Sequence, residues 1–437
     1  MKNLFFPFFL FSFVCNSYAQ MLPVTEWWNY PGGEKKHEGF LRDSIREGNW
    51  SYWYQNGNRE SEGAYHEGNK TGEWKYWFSD GMPMMQVHIE NGPCTLYHEN
   101  GKVKTTWQHE NGLREGVLSE YDTAGILMHA FTYRHGLKYG RGISYFPNGQ
   151  MAFDGNYRND SLNGKAVWYR PDGTKEMEGE LQNDLQAGYW YFYHPNGKTG
   201  SEGSFEGGKR TKQWTFYYET GERWKTGNYL HDKREGMWTV YYENGQKFQE
   251  GSFTGDTEAG FWCNWYDDGQ VNYQGYFVNG VMDGLWEAWY QSGKKRYEKN
   301  YMQGQAHGKW VFFYENGKKQ YEGFFLNGLR NGIWHDFFPT GAILSKVSYQ
   351  AGNRNGPSLF YAENGSLLRE QTFRNDKPHG KFISYHPNGK KASEGSYADH
   401  KQEGVWNYYN TNGINTYSVM FRNGVKIRTL NDQRKKK

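Results

Sequence analysis

YENGKKQYEGFFLNGLRNGIW, residues 314–334, is the stretch on which the fold turns. It holds two Asn-Gly pairs, Asn316-Gly317 and Asn327-Gly328, with short aromatic-rich segments beside each. Asn-Gly between apolar runs is a strong local hairpin signal, because both residues tolerate the positive φ of a two-residue type I′ turn. The flanking segments, about eight residues long and rich in Trp, Tyr and Phe, read as strands. The stretch therefore predicts two short antiparallel strands, with type I′ geometry expected at Asn316-Gly317.

Close variants of it fill almost the whole chain. Taking the turn glycine as a marker, among them Gly57, Gly149, Gly197, Gly245, Gly317 and Gly389, gives about 17 units spaced 24 residues apart, with one spacing of 20 between Gly81 and Gly101. A fixed period over the chain is the signature of a repeat array. In the short spacing, Asn91-Gly92 serves both as second turn and as the glycine opening the next unit, so the missing residues are expected to come out of a loop.

The aromatics fall in register with the turn. Four residues before the glycine a ring stands in 16 of the 17 units, and seven before it ten units carry a tryptophan. Trp190, Trp214, Trp238, Trp262, Trp286, Trp310 and Trp334 form the longest unbroken series. Where the series lapses, at Leu118, Gly142 and Ala166, either drift or a break that accommodates a specific partner would account for it. Because side chains alternate along a strand, positions seven and four before the turn lie on opposite faces, so both faces of the sheet carry rings. Two accounts follow. In one, bulges let the rings pack on one another as core. In the other, the tryptophan series stays exposed as a ladder for sugars, peptides or another protein.

Composition suits a thin β structure. Aromatics are 19% of the 437 residues and Gly numbers 56, while hydrophobics total only 36%. Lys plus Arg (51) nearly balances Asp plus Glu (48), which gives no electrostatic ground for a nucleic-acid partner. The sole basic run is Arg434-Lys435-Lys436-Lys437. At the other end, residues 1–19 carry Lys2, an apolar stretch from Leu4 to Cys15 and a small-residue ending at Ala19, the pattern of a secretory signal peptide. No later apolar run approaches the ~18 residues of a transmembrane helix. Residues 20–25 then read as a linker, 26–424 as the repeat array and 425–437 as a basic tail, with export to the periplasm, cell surface or medium expected.

The recurring pattern, Tyr241-Tyr242-Glu243-Asn244-Gly245 with Lys247, then Glu250-Gly251-Ser252-Phe253, and Gly236-Met237-Trp238, resembles the MORN-repeat variant family over about residues 26–424. That resemblance implies an all-β, elongated array of antiparallel hairpins and a scaffold or binding role. Some bacterial members are described as antitoxins, and lipid binding has been proposed for some MORN proteins. Export argues against a cytoplasmic antitoxin.

Chemistry is not evident. Asn196-Gly197-Lys198-Thr199 imitates the end of a phosphate loop, but Phe192 occupies the required earlier glycine. The 14 histidines form no metal-ligand spacing. The Glu of each Glu-Gly pair, at Glu38, Glu62, Glu178, Glu202, Glu250, Glu322 and Glu394, recurs too regularly for catalysis and is expected to accept a backbone hydrogen bond at a strand end. Cys94 and Cys263 lie seven units apart, roughly 65 to 70 Å at about 4.8 Å per strand, so free thiols are expected. No catalytic residue, metal or cofactor is indicated. A protein partner is the leading expectation, with a glycan, peptidoglycan or an anionic lipid surface as alternatives.

Overall fold

The computed structural model describes residues 20–28 and 33–433; residues 1–19, where a leader is expected, and the run Arg434–Lys437 lie outside them. The chain divides into two compact units, Met1–Gly197 and Lys198–Lys437. Strands β1 (Leu22–Trp27) to β15 (Leu185–Tyr193) belong to the first, and β16 (Thr199–Glu206) to β35 (Val425–Asp432) to the second. Within each unit, pairing runs between sequence neighbours and is antiparallel. For example, β19 (Lys233–Tyr241) pairs with β18 (Arg223–Leu230) on one side and β20 (Lys247–Thr254) on the other. The fold is thus an all-β array of repeated hairpins.

The first turn of the repeat does not take the type I′ geometry expected of it. At the first, Gly245 N–H donates to the Tyr242 carbonyl at 3.0 Å and Tyr242 N–H to the Gln246 carbonyl at 2.8 Å. Gly245 takes φ +82 and Asn244 stays at negative φ. This is a type I turn closed by a left-handed glycine, and the extra residue appears as a bulge where Val240 faces Gln249 but Tyr241 faces Lys247. Gly57, Gly149, Gly197, Gly317 and Gly389 hold the same conformation, with φ between +80 and +87. Type I′ geometry occurs at the second turn instead, as at Asn279 (φ 51) and Gly280 (φ 78).

Where asparagine stands at the first turn, it serves through its amide, not its φ. Asn244 Oδ1 accepts from Gln246 N–H at 2.9 Å, while its Nδ2 donates to the Asp267 carbonyl in the next repeat, also at 2.9 Å. Asn316 does the same with Lys318 and Pro339. Two residues before Asn244, Tyr242 Oη donates to the Trp265 carbonyl at 2.9 Å, and in the next repeat Tyr266 Oη donates to the Trp289 carbonyl at 2.9 Å. Second turns are tied similarly, with Asp256 Oδ1 accepting from Arg234 N–H at 2.9 Å. These neighbour-to-neighbour bonds satisfy turn groups that a lone hairpin would leave to water.

Three boundaries differ from the sequence reading. Leu22–Trp27, placed largely in the linker, is strand β1 and pairs with β2 (Lys35–Arg42). Val425–Asp432, placed in the tail, is β35, paired with β34 (Asn415–Arg422). Its alternating Lys426 and Arg428 put charge on the outermost strand, a common guard against edge pairing. In the short repeat, β6 (Pro83–His88) and β7 (Gly92–Tyr97) have 6 residues each where regular strands have 8 and 9. The deletion is therefore taken from the strand ends beside Asn91-Gly92, and not from a loop.

Candidate binding surfaces

The tryptophan positions come from a strand whose register puts residues seven and five before the turn on one face. On the partner strand the same face carries the glycine of each Glu-Gly pair, as in Gly251 opposite Trp238. The glycine of the preceding strand, Gly227, also faces Trp238, and the ring lies flat on it. A Cβ built on Gly251 would sit closer than 3.0 Å to three atoms of the Trp262 ring, and Gly203, Gly227, Gly275 and Gly323 meet Trp214, Trp238, Trp286 and Trp334 in the same way. No other residue leaves that space. Each indole N–H also reaches across the hairpin: Trp238 Nε1 donates to the Asn228 carbonyl at 3.0 Å and Trp286 Nε1 to the Tyr276 carbonyl at 3.1 Å.

Between tryptophans stand the rings eight residues after each turn, in edge-to-face contact. Tyr229 and Trp238 have centroids 5.0 Å apart at 80°, Phe253 and Trp262 5.0 Å at 88°, and Phe325 and Trp334 5.0 Å at 86°. Each such pair contributes roughly 0.5–1.5 kcal/mol beyond burial. Guanidiniums cover rings of this row, with Arg234 3.7 Å from the Phe253 centroid and Arg330 4.3 Å from that of Trp334.

Burial decides between the two accounts of this series. Trp190, Trp214, Trp238, Trp262, Trp286 and Trp334 are at most 6% exposed. Trp310 is half-buried, because Lys299 replaces its glycine and lays its ammonium 4.9 Å from the ring centroid. The rings serve as core, and their faces are occupied by backbone. The ladder open to a ligand is not on this face.

At two of the three lapses, Leu118 and Gly142, the ring has changed strands. In β10 (Leu127–Arg134) Phe131 stands at the glycine's position, facing Gly142 of β11 (Leu137–Tyr145) at the tryptophan's position. A Cβ on Gly142 would meet the Phe131 ring at 2.6 Å. Trp107 of β8 (Val103–Glu110) and Leu118 of β9 (Leu113–Tyr121) occupy the same exchanged positions. These two lapses are exchanges across a strand pair; at Ala166 there is none, since it faces Gly155, which the Phe153 ring covers instead.

The opposite face carries the Glu of each Glu-Gly pair. Its partners are side chains, not the backbone expected from sequence. Lys391 Nζ donates to Glu394 Oε2 at 2.8 Å and Tyr409 Oη to Glu394 Oε1 at 2.5 Å; Lys175 and Tyr193 hold Glu178 likewise. The Lys391 and Tyr409 hydrogen bonds hold the Glu394 carboxyl below its ordinary range, and burial together with Glu394 pushes the Tyr409 phenol up to about 12. These are repeated braces. Cys263 is buried on this face and Cys94 stands at a tryptophan position on the other; both are free thiols, with burial pushing each up to about 11.

On this same face, in the Lys198–Lys437 unit, the residue preceding the tryptophan is apolar and open to solvent in five repeats, one of them the outlying Val405. Met237, Phe261, Leu285 and Ile333 are joined there by Tyr276 and Phe324 from the intervening strands, all 43–54% exposed. Register makes neighbours of some: Phe261 faces Tyr276, with rings 5.2 Å apart, while Phe324 faces Lys309. Val278 with Val281 and Leu326 with Leu329 extend the patch toward the second turns. Sequence reasoning fixed on the tryptophans and passed over these positions. The signal was present, since an alternating strand with one solvated face should carry polar residues there.

Among the described residues no cluster of three or more His, Cys, Asp or Glu side chains is arranged to hold a metal. Among them, too, no helix is long and apolar enough to cross a membrane.

Hairpins that brace one another through recurrent turn, ring and glycine positions define a β-hairpin repeat protein. The family model described as MORN repeat variant matches eight of its segments: 46–67, 90–111, 138–159, 234–254, 282–303, 306–327, 354–375 and 378–399. The chain is a protein of MORN-variant repeats. No curated protein matches it. Among solved structures, the crystal structure of TcdB2-TccC3-Cdc42 aligns over 93% of this chain and 25% of its own, at 12% identity and a TM-score of 0.15. That of TcdB2-TccC3 aligns over 94% and 23%, at 11% identity and a TM-score of 0.14. The chain spans about a quarter of those chains, and such low scores carry no argument.

Proposed function

We propose that this protein is an exported, non-catalytic scaffold that binds a protein partner at the cell envelope, using the face opposite the tryptophans. The observation that carries the reading is the exposed apolar patch running from Met237 to Ile333. A patch of Phe, Tyr, Met, Leu and Ile on one face exceeds the scattered apolar residues that any soluble surface shows. Aromatics and Met are also the residue types enriched at the cores of protein interfaces. Rigid presentation comes from the opposite face, where ring-on-glycine packing and turn-to-turn hydrogen bonds fix the register. Export rests on the leader pattern at residues 1–19, and the absence of a convergent acid, base and nucleophile in the repeat motif supports a binding role.

The test is retention of a partner from envelope extracts by the full chain and by the double variant Phe261→Asp/Phe324→Asp. The reading expects a protein held by the unaltered chain at micromolar levels and released by the variant. Equal retention by both, or none by either, contradicts it. Periplasmic recovery of the chain, cleaved near Ala19, tests the location separately.

A further inference from the structure

Lys225 is a half-buried cation in a row that is mostly uncharged. The position, four residues after the first-turn glycine, holds Ser201, Gln249, Tyr273 and Tyr321 in other repeats and the exposed Arg369 in one, whereas here a half-buried lysine enters the ring-bearing face between Phe216 and Val240. Its ammonium lies 4.6 Å from the Phe216 ring centroid and 4.1 Å from that of Trp224. Among the described residues no carboxylate pairs with it. Burial, followed by the nearby Arg234 and Arg210, lowers its pKa. The two guanidiniums are each matched, Arg210 by Asp232 at 3.1 Å and Arg234 by Asp256 at 2.8 Å. One positive charge therefore stands unbalanced in a half-buried aromatic setting, which is costly unless an anion completes it.

Beside this ammonium opens a cleft of about 240 Å³, whose lining includes Trp224, Lys225, Arg234, Trp238, Val240 and Gln249. Trp224 is 40% exposed and offers a flat wall, while buried Trp238 closes the floor. Gln249 adds an amide that both donates and accepts. By contrast Lys299, the other lysine on this face with a burial-lowered pKa, lies over Tyr297, Trp310 and Phe312 and lies outside this cleft. A cation set against apolar walls, with room for a single ring, matches the few convergent polar groups of a small-ligand site.

We propose that this cleft binds an organic carboxylate attached to a flat apolar body, the carboxylate on Lys225 Nζ and the ring against Trp224. The carboxylate can belong to a free aromatic acid or to the C-terminal aromatic residue of a peptide. This site lies on the face opposite the scaffold patch, so it stands or falls independently of that reading.

Calorimetric titration of the full chain decides it, with phenylacetate, phenylacetamide, and the peptide Ala-Ala-Phe bearing a free or an amidated C-terminus. At least one carboxylate is expected to bind at concentrations up to about 5 mM, its amide at least about ten-fold more weakly. Tighter binding of the free-terminus peptide than of phenylacetate identifies a chain end as the source, and the reverse order identifies a free acid. Lys225→Gln should lose about ten-fold in affinity and Lys299→Gln should lose none. Binding of neither carboxylate, equal binding of acid and amide, or full affinity in Lys225→Gln overturns the proposal. If Lys225→Gln does not fold, the acid-against-amide comparison on the unaltered chain is decisive by itself.

Discussion

The hairpins from Gly203 to Trp334 and those from Trp107 to Gly142 solve one packing problem with opposite assignments. In the first region the ring stands seven residues before the turn and the glycine on the partner strand, as Trp262 on Gly251. In the second the ring moves to the partner strand, as Phe131 on Gly142. What these hairpins preserve is one large ring set against a small or slender partner across the strand pair, and not a tryptophan at a fixed position. A thin sheet without an aliphatic second layer gains most of its burial this way, so an uncompensated second ring, or the loss of the ring from such a pair, is penalised.

The largest break of that comparison is removal of a ring where no exchange compensates. Trp262→Ala should cost about 3–5 kcal/mol, read as lost hydrogen-exchange protection in β20, β21 (Thr257–Trp265) and β22 (Val271–Val278). Filling the glycine side comes next: Gly251→Ala places a methyl inside the Trp262 ring and should cost about 1–3 kcal/mol by the same measurement. At the turn, Gly245→Ala forces a φ of +82 on an L side chain and should cost about 1–2 kcal/mol.

Weaker effects concern the brace face. The Glu394 carboxyl is lowered in the folded state by Lys391 and Tyr409, so its contribution is complete above its ordinary value near 4.5 and fades as pH falls through the lowered one. Tyr409, raised to about 12, contributes below its ordinary value of 10 and loses that contribution as pH rises through about 12. Denaturation of Glu394→Gln against the unaltered chain should therefore show a stability gap at neutral pH that narrows under acid. A gap that widens in acid contradicts the assignment. The smallest change is expected from Phe261→Asp/Phe324→Asp, whose side chains are about half exposed: each shifts stability by about 0.5 kcal/mol or less while partner retention is lost.

Much of the array was legible from Tyr314–Trp334 alone, because turn spacing and ring register are local. Turn type was not, since Asn244 is held by the Asp267 carbonyl of the next repeat and that contact exists only once hairpins stack. The strand character of Leu22–Trp27 was missed for a related reason: it lies before the repeat begins and is fixed by pairing with β2. At the candidate surface, the face alternation was readable but the flat glycine was not. A Glu-Gly pair reads as polar punctuation until Gly251 is seen under Trp262. Once the rings are known to be covered, the apolar residues beside them, Phe261 and Ile333, become the ones left facing solvent.

The exchange itself can be measured. Phe131→Gly, Gly142→Trp and the double variant form a thermodynamic cycle read by hydrogen exchange in β10 and β11. Each single change should destabilise the hairpin, the first by leaving two glycines face to face and the second by setting two rings in one space. The double variant, which restores the arrangement of Gly251 and Trp262, should recover most of the loss, with a coupling of about 2–3 kcal/mol. Additive losses in the double variant would contradict the ring-on-glycine account.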